Sequence, residues 1–211
     1  MKIVPKKFRV RLNRCGLRDT LTYLVLTVLL EKLGVRVNRD FEFVKTATVT
    51  ALPSLDGFTV TIVREVTELP DRDLRILREY GGTQFEEKIE TYFDENKRCV
   101  VVRSDQGELA SVCWYCQQVS APSAHGTRCG YIDRCFTRPE FRGLGLYPFA
   151  LRFICISDEA QLGFEVDRIR IECSWFNHSS AIGIVKAGFV PTGNTLELWG
   201  QRFLHWPASR E

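Results

Sequence analysis

A strand end, a turn with two glycines and a helix start follow one another in Phe136-Thr137-Arg138-Pro139-Glu140-Phe141-Arg142-Gly143-Leu144-Gly145-Leu146-Tyr147. Unpaired backbone N–H groups at a helix N-terminus attract anions, and glycines let the backbone approach a phosphate closely. No Gly-Lys-Ser/Thr closes the stretch, as it would in a nucleoside triphosphate loop, and the third glycine of the dinucleotide fingerprint is missing. The stretch therefore indicates anion binding, although glycines at a helix start can also be plain turn residues.

A second signal lies one predicted strand further along the chain, in Asn177-His178-Ser179-Ser180-Ala181-Ile182-Gly183-Ile184-Val185-Lys186-Ala187-Gly188-Phe189. Asn177 can cap this helix, and Gly188 can supply the left-handed residue at its end. Taken alone, the stretch is a helix with clear start and stop signals. Its position one predicted strand after the glycine-containing turn makes it a stronger indication of function than it is alone.

The chain around these two stretches alternates between strand and helix patterns. Strands are predicted at residues 58–66, 99–104, 109–117, 128–137, 168–173 and 195–203. Helices are predicted at residues 71–81, 83–95, 144–160 and 177–187. This order predicts an α/β fold, in which helices cover a mixed sheet and neighbouring strands are antiparallel.

The N-terminal region has a pattern of its own. Residues 17–33 are dense in apolar side chains, with Asp19 able to cap the start of a helix and Gly34 able to end it. Strand-like residues 8–12 and 41–44 flank this helix, and residues 53–57 resemble a linker. We expect an N-terminal extension, residues 1–55, packed on a main domain, residues 56–211. The apolar helix could form a homodimer contact as easily as a core.

Composition limits the classes of protein. The 211 residues are 45% hydrophobic and 26% charged, which excludes a disordered, collagen-like or coiled-coil chain. A net charge of +3 is too mild to favour a nucleic acid partner. Eight cysteines without a secretory signal predict a reducing, cytoplasmic location. The uncharged residues 20–30 fall short of the ~20 residues that span a bilayer, so no membrane span is predicted.

Together the two stretches resemble the GNAT superfamily of acyl-CoA-dependent N-acyltransferases. The run from Arg142 to Tyr147 is similar to the pyrophosphate loop of that family, and the run from Asn177 to Phe189 is similar to its Asn-led helix. The resemblance implies a mixed, mostly antiparallel central sheet with helices on its faces. It also implies a V-shaped cleft between the predicted strands 128–137 and 168–173, in which acetyl-CoA lies as the acyl donor. The resemblance does not cover residues 1 to about 55.

The resemblance also implies which residues hold the donor. The backbone of Phe136 and Thr137 would pair with the pantetheine arm, and Asn177 and Ser180 would reach the same arm. The pyrophosphate would be held by the N–H groups of Arg142, Gly143, Leu144, Gly145, Leu146 and Tyr147. Two positions depart from the family pattern. Tyr147 replaces the usual Gly or Ala, and Ile184 replaces the tyrosine that protonates the leaving thiolate in many members.

The implied function is that of an enzyme of the EC 2.3.1 class, an N-acetyltransferase. Its reaction would be direct attack of a primary amine on acetyl-CoA, without a covalent enzyme intermediate. The acceptor would be a small-molecule or peptide amine. Two alternatives stay open: a non-catalytic acyl-CoA-binding or protein-interaction module, and an N-acyltransferase that uses a longer acyl-CoA or an acyl carrier protein.

Amine attack requires a route for the amine's proton. Asp133 and Tyr131 are two residues apart on a predicted strand, so they share a face, and either could accept the proton directly or through water. An acid at this place can equally be a salt-bridged surface group. Other candidates are Glu172, Cys173 and His178. Cys113 and Cys116 are three residues apart on a strand and point to opposite faces, so we predict no metal site there.

Overall fold

The computed structural model of the protein describes residues 30, 32–45, 54–81, 89–95, 97–118, 128–157 and 159–208. The strand predicted at 8–12, nearly all of the helix predicted at 17–33 and the first half of the helix predicted at 83–95 lie outside the described residues.

The described strands form one sheet. They are β1 (Val35–Val44), β2 (Phe58–Val63), β3 (Arg98–Ser104), β4 (Leu109–Gln118), β5 (Cys129–Thr137), β6 (Arg168–Ser174), β7 (Val190–Leu198) and β8 (Gln201–Pro207). Their order across the sheet is β2-β3-β4-β5-β6-β1-β7-β8. Only β5 and β6 pair in parallel, and all other described neighbours are antiparallel. The predicted mixed, mostly antiparallel α/β sheet is therefore confirmed.

The described helices cover both faces of this sheet. They are α1 (Asp71–Gly81), α2 (Ile89–Asp94), α3 (Leu146–Ile156), α4 (Glu159–Leu162) and α5 (His178–Lys186). Buried side chains of α3 and α5 pack with Ile132 of β5 and Ile171 of β6 in one core. Buried side chains of α1 and α2 pack with Trp114 of β4 in another. We call the two sides of the sheet the α3 face and the α1 face.

Several predicted elements have different bounds in the structure. The strand predicted at 58–66 ends at Val63, and the strand predicted at 41–44 begins at Val35. The single strand predicted at 195–203 is wrong, because Trp199 and Gly200 form the turn between β7 and β8. Both residues have positive φ, +48° and +79°, as two-residue hairpin turns require. The helix predicted at 144–160 ends at Ile156, because Ser157 adopts extended backbone and α4 begins only at Glu159.

Strand β1 comes from the predicted N-terminal extension but lies inside the sheet. It pairs with β6 on one edge, Asn38 opposite Ser174, and with β7 on the other, Val35 opposite Leu198. Its Phe41 is 3% exposed and belongs to the core of the α3 face. Residues 35–44 are therefore part of the sheet that carries the predicted main domain. The division into two domains at residue 55 stays a prediction.

This placement makes Phe41 a test of how strongly β1 supports the fold. We expect Phe41→Ala to lower the free energy of unfolding by about 3–5 kcal/mol, as truncation of a buried phenylalanine does. Urea denaturation followed by circular dichroism measures the change. Val44→Ala on the same strand is the control, since Val44 is 52% exposed and its truncation should cost about 0.5 kcal/mol or less. Equal, small losses would show that β1 contributes little to the core.

Candidate functional site

The two parallel strands separate part-way along the sheet. β5 pairs with β6 over only four residues, from Cys129 opposite Arg168 to Ile132 opposite Ile171. Beyond these pairs β5 continues to Thr137 and β6 to Ser174, each hydrogen-bonded on its other edge to β4 or β1. The edges that face each other, residues 133–137 and 172–174, pair with no strand of the described residues on that side. We call this opening the fork, and it lies where the V-shaped cleft was expected.

A bulge in β5 accompanies the separation. The register between β4 and β5 shifts between Val112 and Trp114, and Arg134 on β5 has a φ of +43°. Positive φ is uncommon for residues other than glycine, and bulges bend a strand and increase its twist. The bend comes two residues after Ile132, the last β5 residue that pairs with β6. Local backbone geometry therefore directs β5 away from β6.

The glycine-containing turn lies at the wide end of the fork, directly after β5. Gly143 and Gly145 have φ values of +88° and +79°, and Gly145 is the N-cap of α3 without any side-chain cap. A Cβ built on either glycine meets no described atom within 4 Å. Arg142 ties the turn to the end of β5, because its Nε donates to the carbonyl of Thr137 at 3.1 Å. Open space beside uncapped helix N–H groups fits a pyrophosphate.

Helix α5 begins just after β6, the second of the two strands that form the fork. The N–H of Asn177 donates to the carbonyl of Ser174 at 2.8 Å, immediately after β6. The Asn177 side chain accepts from the N–H of Ser180 at 3.1 Å, so the predicted cap is confirmed. Gly188 has a φ of +96° just after the helix, as its sequence position predicted. The N-termini of α3 and α5 therefore both lie at the wide end of the fork.

Tyr147 reaches from α3 to α5 on the α3 face. Its hydroxyl lies 3.0 Å from the Ser180 hydroxyl, and its ring packs against Gly183, where an added Cβ would lie 2.5 Å from the ring. Cys173 of β6 belongs to the core on this face, and Cys135 of β5 packs against the same core as Tyr147. The side chains of Cys135, Tyr147, Ser180 and Cys173 thus lie on the α3 face of the fork. We call this group the fork bridge.

Burial controls the protonation of the fork bridge. It raises the pKa of the Tyr147 phenol well above its ordinary value, and the hydrogen bond with Ser180 offsets only part of this rise. The pKa of Cys135 is also raised, first by its hydrogen bond with Cys113 and then by burial. Burial raises the pKa of Cys173 to about 11. All three groups therefore keep their protons at neutral pH and can act as hydrogen-bond donors.

The predicted catalytic residues lie at the narrow end of the fork. Asp133 is the first β5 residue beyond the last pair, and its Oδ2 lies 3.3 Å from Nζ of Lys97. Burial alone would lower the pKa of Lys97, but the charge and hydrogen bond of Asp133 raise it above its ordinary value. Lys97 also lies 4.4 Å from the ring centre of Tyr92. Asp133 Oδ1 is buried and accepts no hydrogen bond from the described residues.

Tyr131 lies near both Asp133 and Glu172. Burial raises the pKa of the Tyr131 phenol well above its ordinary value, and the charges of Glu172 and Asp133 raise it further. Tyr131 therefore stays protonated at neutral pH, which leaves Asp133 as the better proton acceptor of the predicted pair. Burial raises the pKa of Glu172, opposed by Arg202, to which it is ion-paired.

The remaining candidates lie elsewhere. His178 is exposed at the first position of α5, and Cys173 belongs to the fork bridge.

Sequence reasoning missed Lys97, the cation that pairs with Asp133, because nothing local links residues 36 positions apart. It also missed the contact of Tyr147 with α5. A glycine inside a helix, Gly183, was the available signal, because glycine there costs stability and usually has a packing reason.

Comparison with solved structures assigns the fold. The chain is similar to a GCN5-related N-acetyltransferase from Sphaerobacter thermophilus, with a TM-score of 0.50 and 17% identity over 82% of this chain and 55% of that one. It is also similar to a GNAT-family acetyltransferase from Colwellia psychrerythraea, with a TM-score of 0.52 and 12% identity over 86% and 62%. The chain has the GNAT fold. The resemblance seen in the sequence is thereby confirmed at the level of architecture.

The likeness is one of structure. A GCN5-related N-acetyltransferase from Kribbella flavida aligns with a TM-score of 0.50 and 13% identity, over 79% of this chain and 60% of that one. The chain thus spans 55–62% of the length of these three GNAT-fold proteins. No protein-family model and no curated protein matches the sequence.

Among the described residues, no helix is long and apolar enough to cross a membrane.

The contact between Tyr147 and Gly183 gives a prediction about stability. Ala is a better helix former than Gly by about 1 kcal/mol, yet we expect Gly183→Ala to destabilise the protein by about 1 kcal/mol, because overpacking against the Tyr147 ring costs more. In a Tyr147→Ala background the same change should stabilise. Urea denaturation of the four proteins gives the coupling, which we expect to be about 2 kcal/mol. Additive effects would mean that the ring does not occupy this space.

Proposed function

We propose that the protein is an N-acetyltransferase that binds acetyl-CoA in the fork and transfers the acetyl group to a primary amine. The single observation that carries the proposal is the combination of the fork with the open, glycine-containing turn at its wide end. An extended pantetheine arm carries amides that can pair with the free backbone edges of β5 residues 133–137. Its pyrophosphate fits beside Gly143 and Gly145, where a Cβ would meet no described atom within 4 Å.

The donor's orientation follows from the two ends of the fork. The pyrophosphate belongs at the wide end, at the N-terminus of α3, so the thioester belongs at the narrow end near Asp133. Backbone N–H groups of β5 would polarise its carbonyl as an oxyanion hole does. The attacking amine must reach this carbonyl as a neutral group and lose a proton after attack. We assign acceptance of that proton to Asp133, directly or through water, with Tyr131 orienting the amine.

The first experiment is calorimetric titration of the protein with acetyl-CoA, longer acyl-CoAs and CoA. Gly145→Ala and Gly200→Ala form a matched pair, because both glycines have a φ of +79° and neither has a described atom within 4 Å of an added Cβ. Each change costs about 1 kcal/mol of backbone strain. We expect Gly145→Ala to weaken acetyl-CoA binding at least about tenfold, and Gly200→Ala to leave it unchanged. Equal affinities would place the donor elsewhere.

A second experiment tests the base. Asp133→Asn removes the proton acceptor but keeps the shape of the side chain, so we expect kcat to fall by about 100-fold and the acetyl-CoA dissociation constant to stay within about threefold. Release of free CoA thiol with a panel of small and peptide amines measures kcat. The control is Asp105→Asn, an exposed acid in the turn between β3 and β4. A full-rate Asp133→Asn enzyme would remove Asp133 from the mechanism.

A second candidate function is a non-catalytic acyl-CoA-binding module. It is favoured by Ile184, an aliphatic residue with no exposure on α5 at the position where the resemblance predicts a tyrosine acid. Such a module would bind acetyl-CoA in the titration and release no thiol with any amine. A preference for longer acyl chains would point to the other alternative, an N-acyltransferase that uses a longer acyl-CoA or an acyl carrier protein.

A further inference from the structure

We propose that the acceptor is a small amine with a carboxylate beside its amino group, as in a free amino acid, and that Arg134 binds this carboxylate. The inference rests on the proposed function and names the class of acceptor that its site takes. Arg134 follows Asp133 directly, at the bulge of β5. It is exposed and forms neither a hydrogen bond nor an ion pair with a described residue.

The amine reaches Asp133 from the α1 face of the sheet. Ile132 and Ile171, the last pair between β5 and β6, lie in the core of the α3 face. The next residue on each strand, Asp133 and Glu172, therefore points to the α1 face. The α3 face holds the fork bridge and the helix N-termini to which we assign the donor. On the α1 face, the residues two positions before and after Glu172 on β6 are exposed, so this side is open to an acceptor.

The Arg134 side chain points to the same face as Asp133. Its guanidinium carbon lies 5.3 Å from the centre of the Tyr92 ring, and that ring packs edge-on against Trp114 in the core of the α1 face. In a regular strand, consecutive side chains point to opposite faces. The bulge between β4 and β5 changes this alternation. Asp133 and Arg134 are therefore neighbours along the chain that serve one side of the fork.

The backbone of Arg134 is strained in this position. Its φ of +43° lies in the left-handed region, where a residue with a Cβ is less stable than glycine by about 1 kcal/mol. A glycine would form a bulge with less strain, so the stability of β5 alone does not explain an arginine here. Strained residues of this kind cluster at active sites and ligand clamps. The strain therefore favours a function for the Arg134 side chain.

Two cations lie over the Tyr92 ring, and they differ in what they can bind. Lys97 is already occupied, because its Nζ lies 3.3 Å from Asp133 and 3.4 Å from Glu95. The guanidinium of Arg134 has several N–H donors in one plane, and no described residue accepts from them. A guanidinium binds a carboxylate through a pair of parallel N–H···O bonds. Arg134 can therefore receive an anionic part of the acceptor beside the proton acceptor Asp133.

The charges at the narrow end favour an acceptor that carries both signs of charge. Asp133 and Glu172 place one carboxylate on each strand of the fork, and both attract an ammonium group. A zwitterion can direct its ammonium to these acids and its carboxylate to Arg134. A phosphate carries nearly two negative charges, so the same acids and Glu95 would repel it more strongly than a carboxylate. The site therefore suits an amino acid better than an amino phosphate.

The first test compares amino acids with their amides, which differ only at the carboxylate. Release of CoA thiol from acetyl-CoA is measured at about pH 8 with a panel of L-amino acids, the matching amides and phosphoethanolamine. We expect kcat/KM to be at least about tenfold higher for an amino acid than for its amide. Intrinsic reactivity predicts the reverse, since the amine of the amide has the lower pKa and more of it is neutral.

Three outcomes of this comparison would overturn the inference. They are equal values for amino acids and amides, higher values for the amides, and a preference for phosphoethanolamine over every amino acid.

The second test changes Arg134. Arg134→Gln removes the charge and keeps a long polar side chain, so we expect the preference for amino acids over amides to fall to within about twofold. Arg134→Lys keeps the charge without the planar donors and should retain a preference of at least about threefold. The matched control is Arg75→Gln, an exposed arginine of α1 that also has no ion pair with a described residue. It should keep the full preference.

The pattern of losses separates binding from a structural effect. A distorted site would slow amino acids and amides equally, whereas loss of the carboxylate contact slows the amino acids at least about fivefold more. Equal losses in Arg134→Gln, or a preference that survives this change, would overturn the role of Arg134.

A binding measurement gives a readout that does not depend on turnover. Calorimetric titration of the CoA-loaded protein with the same panel should show tighter binding of amino acids than of amides, and Arg134→Gln should abolish the difference. A protein that binds acetyl-CoA but binds and acetylates amino acids no better than amides overturns this inference and leaves the proposed function intact. If the protein binds neither acetyl-CoA nor CoA, the proposed function and this inference fail together.

Discussion

The site depends on one constraint, the loss of backbone pairing between β5 and β6 after Ile132. A backbone N–H or carbonyl that is buried without a partner costs about 1–3 kcal/mol, so an opened pair of strands is unstable unless something else meets its edges. In this protein the edges open because the bulge at Arg134 bends β5 away. The same bend creates two free edges suited to an extended ligand that carries amides of its own.

Packing on both faces of the sheet keeps the fork open. Residues Val100, Val102, Ile132, Leu151 and Ile154 are almost fully buried on the α3 face, and Val101, Val112 and Trp114 are fully buried on the α1 face. On the far side of the fork, β1 pairs with every residue of β6, from Arg168 to Ser174. The two strands of the fork are thus held by different neighbours, β5 by β4 and β6 by β1. Collapse of the fork would require strands on both sides to move together.

Local signals in the sequence were sufficient to predict the turn at Gly143 and Gly145, the cap by Asn177 and the end of α5 at Gly188. Each depends on the conformational preference of one residue and its immediate neighbours. The insertion of β1 between β6 and β7 could not be predicted in this way, because Asn38 and Ser174 pair over 136 positions of the chain and no local pattern specifies that partner. The ion pair of Lys97 with Asp133 could not be predicted for the same reason, because 36 positions separate the two residues.

The departure from the GNAT motif at Tyr147 has a physical explanation when it is considered together with Gly183. A tyrosine at position 147 needs space, and the glycine on the facing helix supplies it at a cost of about 1 kcal/mol in helix propensity. The ring packs on Gly183, and the hydroxyl lies 3.0 Å from the hydroxyl of Ser180 on the same helix. The larger side chain on α3 is therefore matched by the smallest possible residue on α5, and both helices still pack in one core.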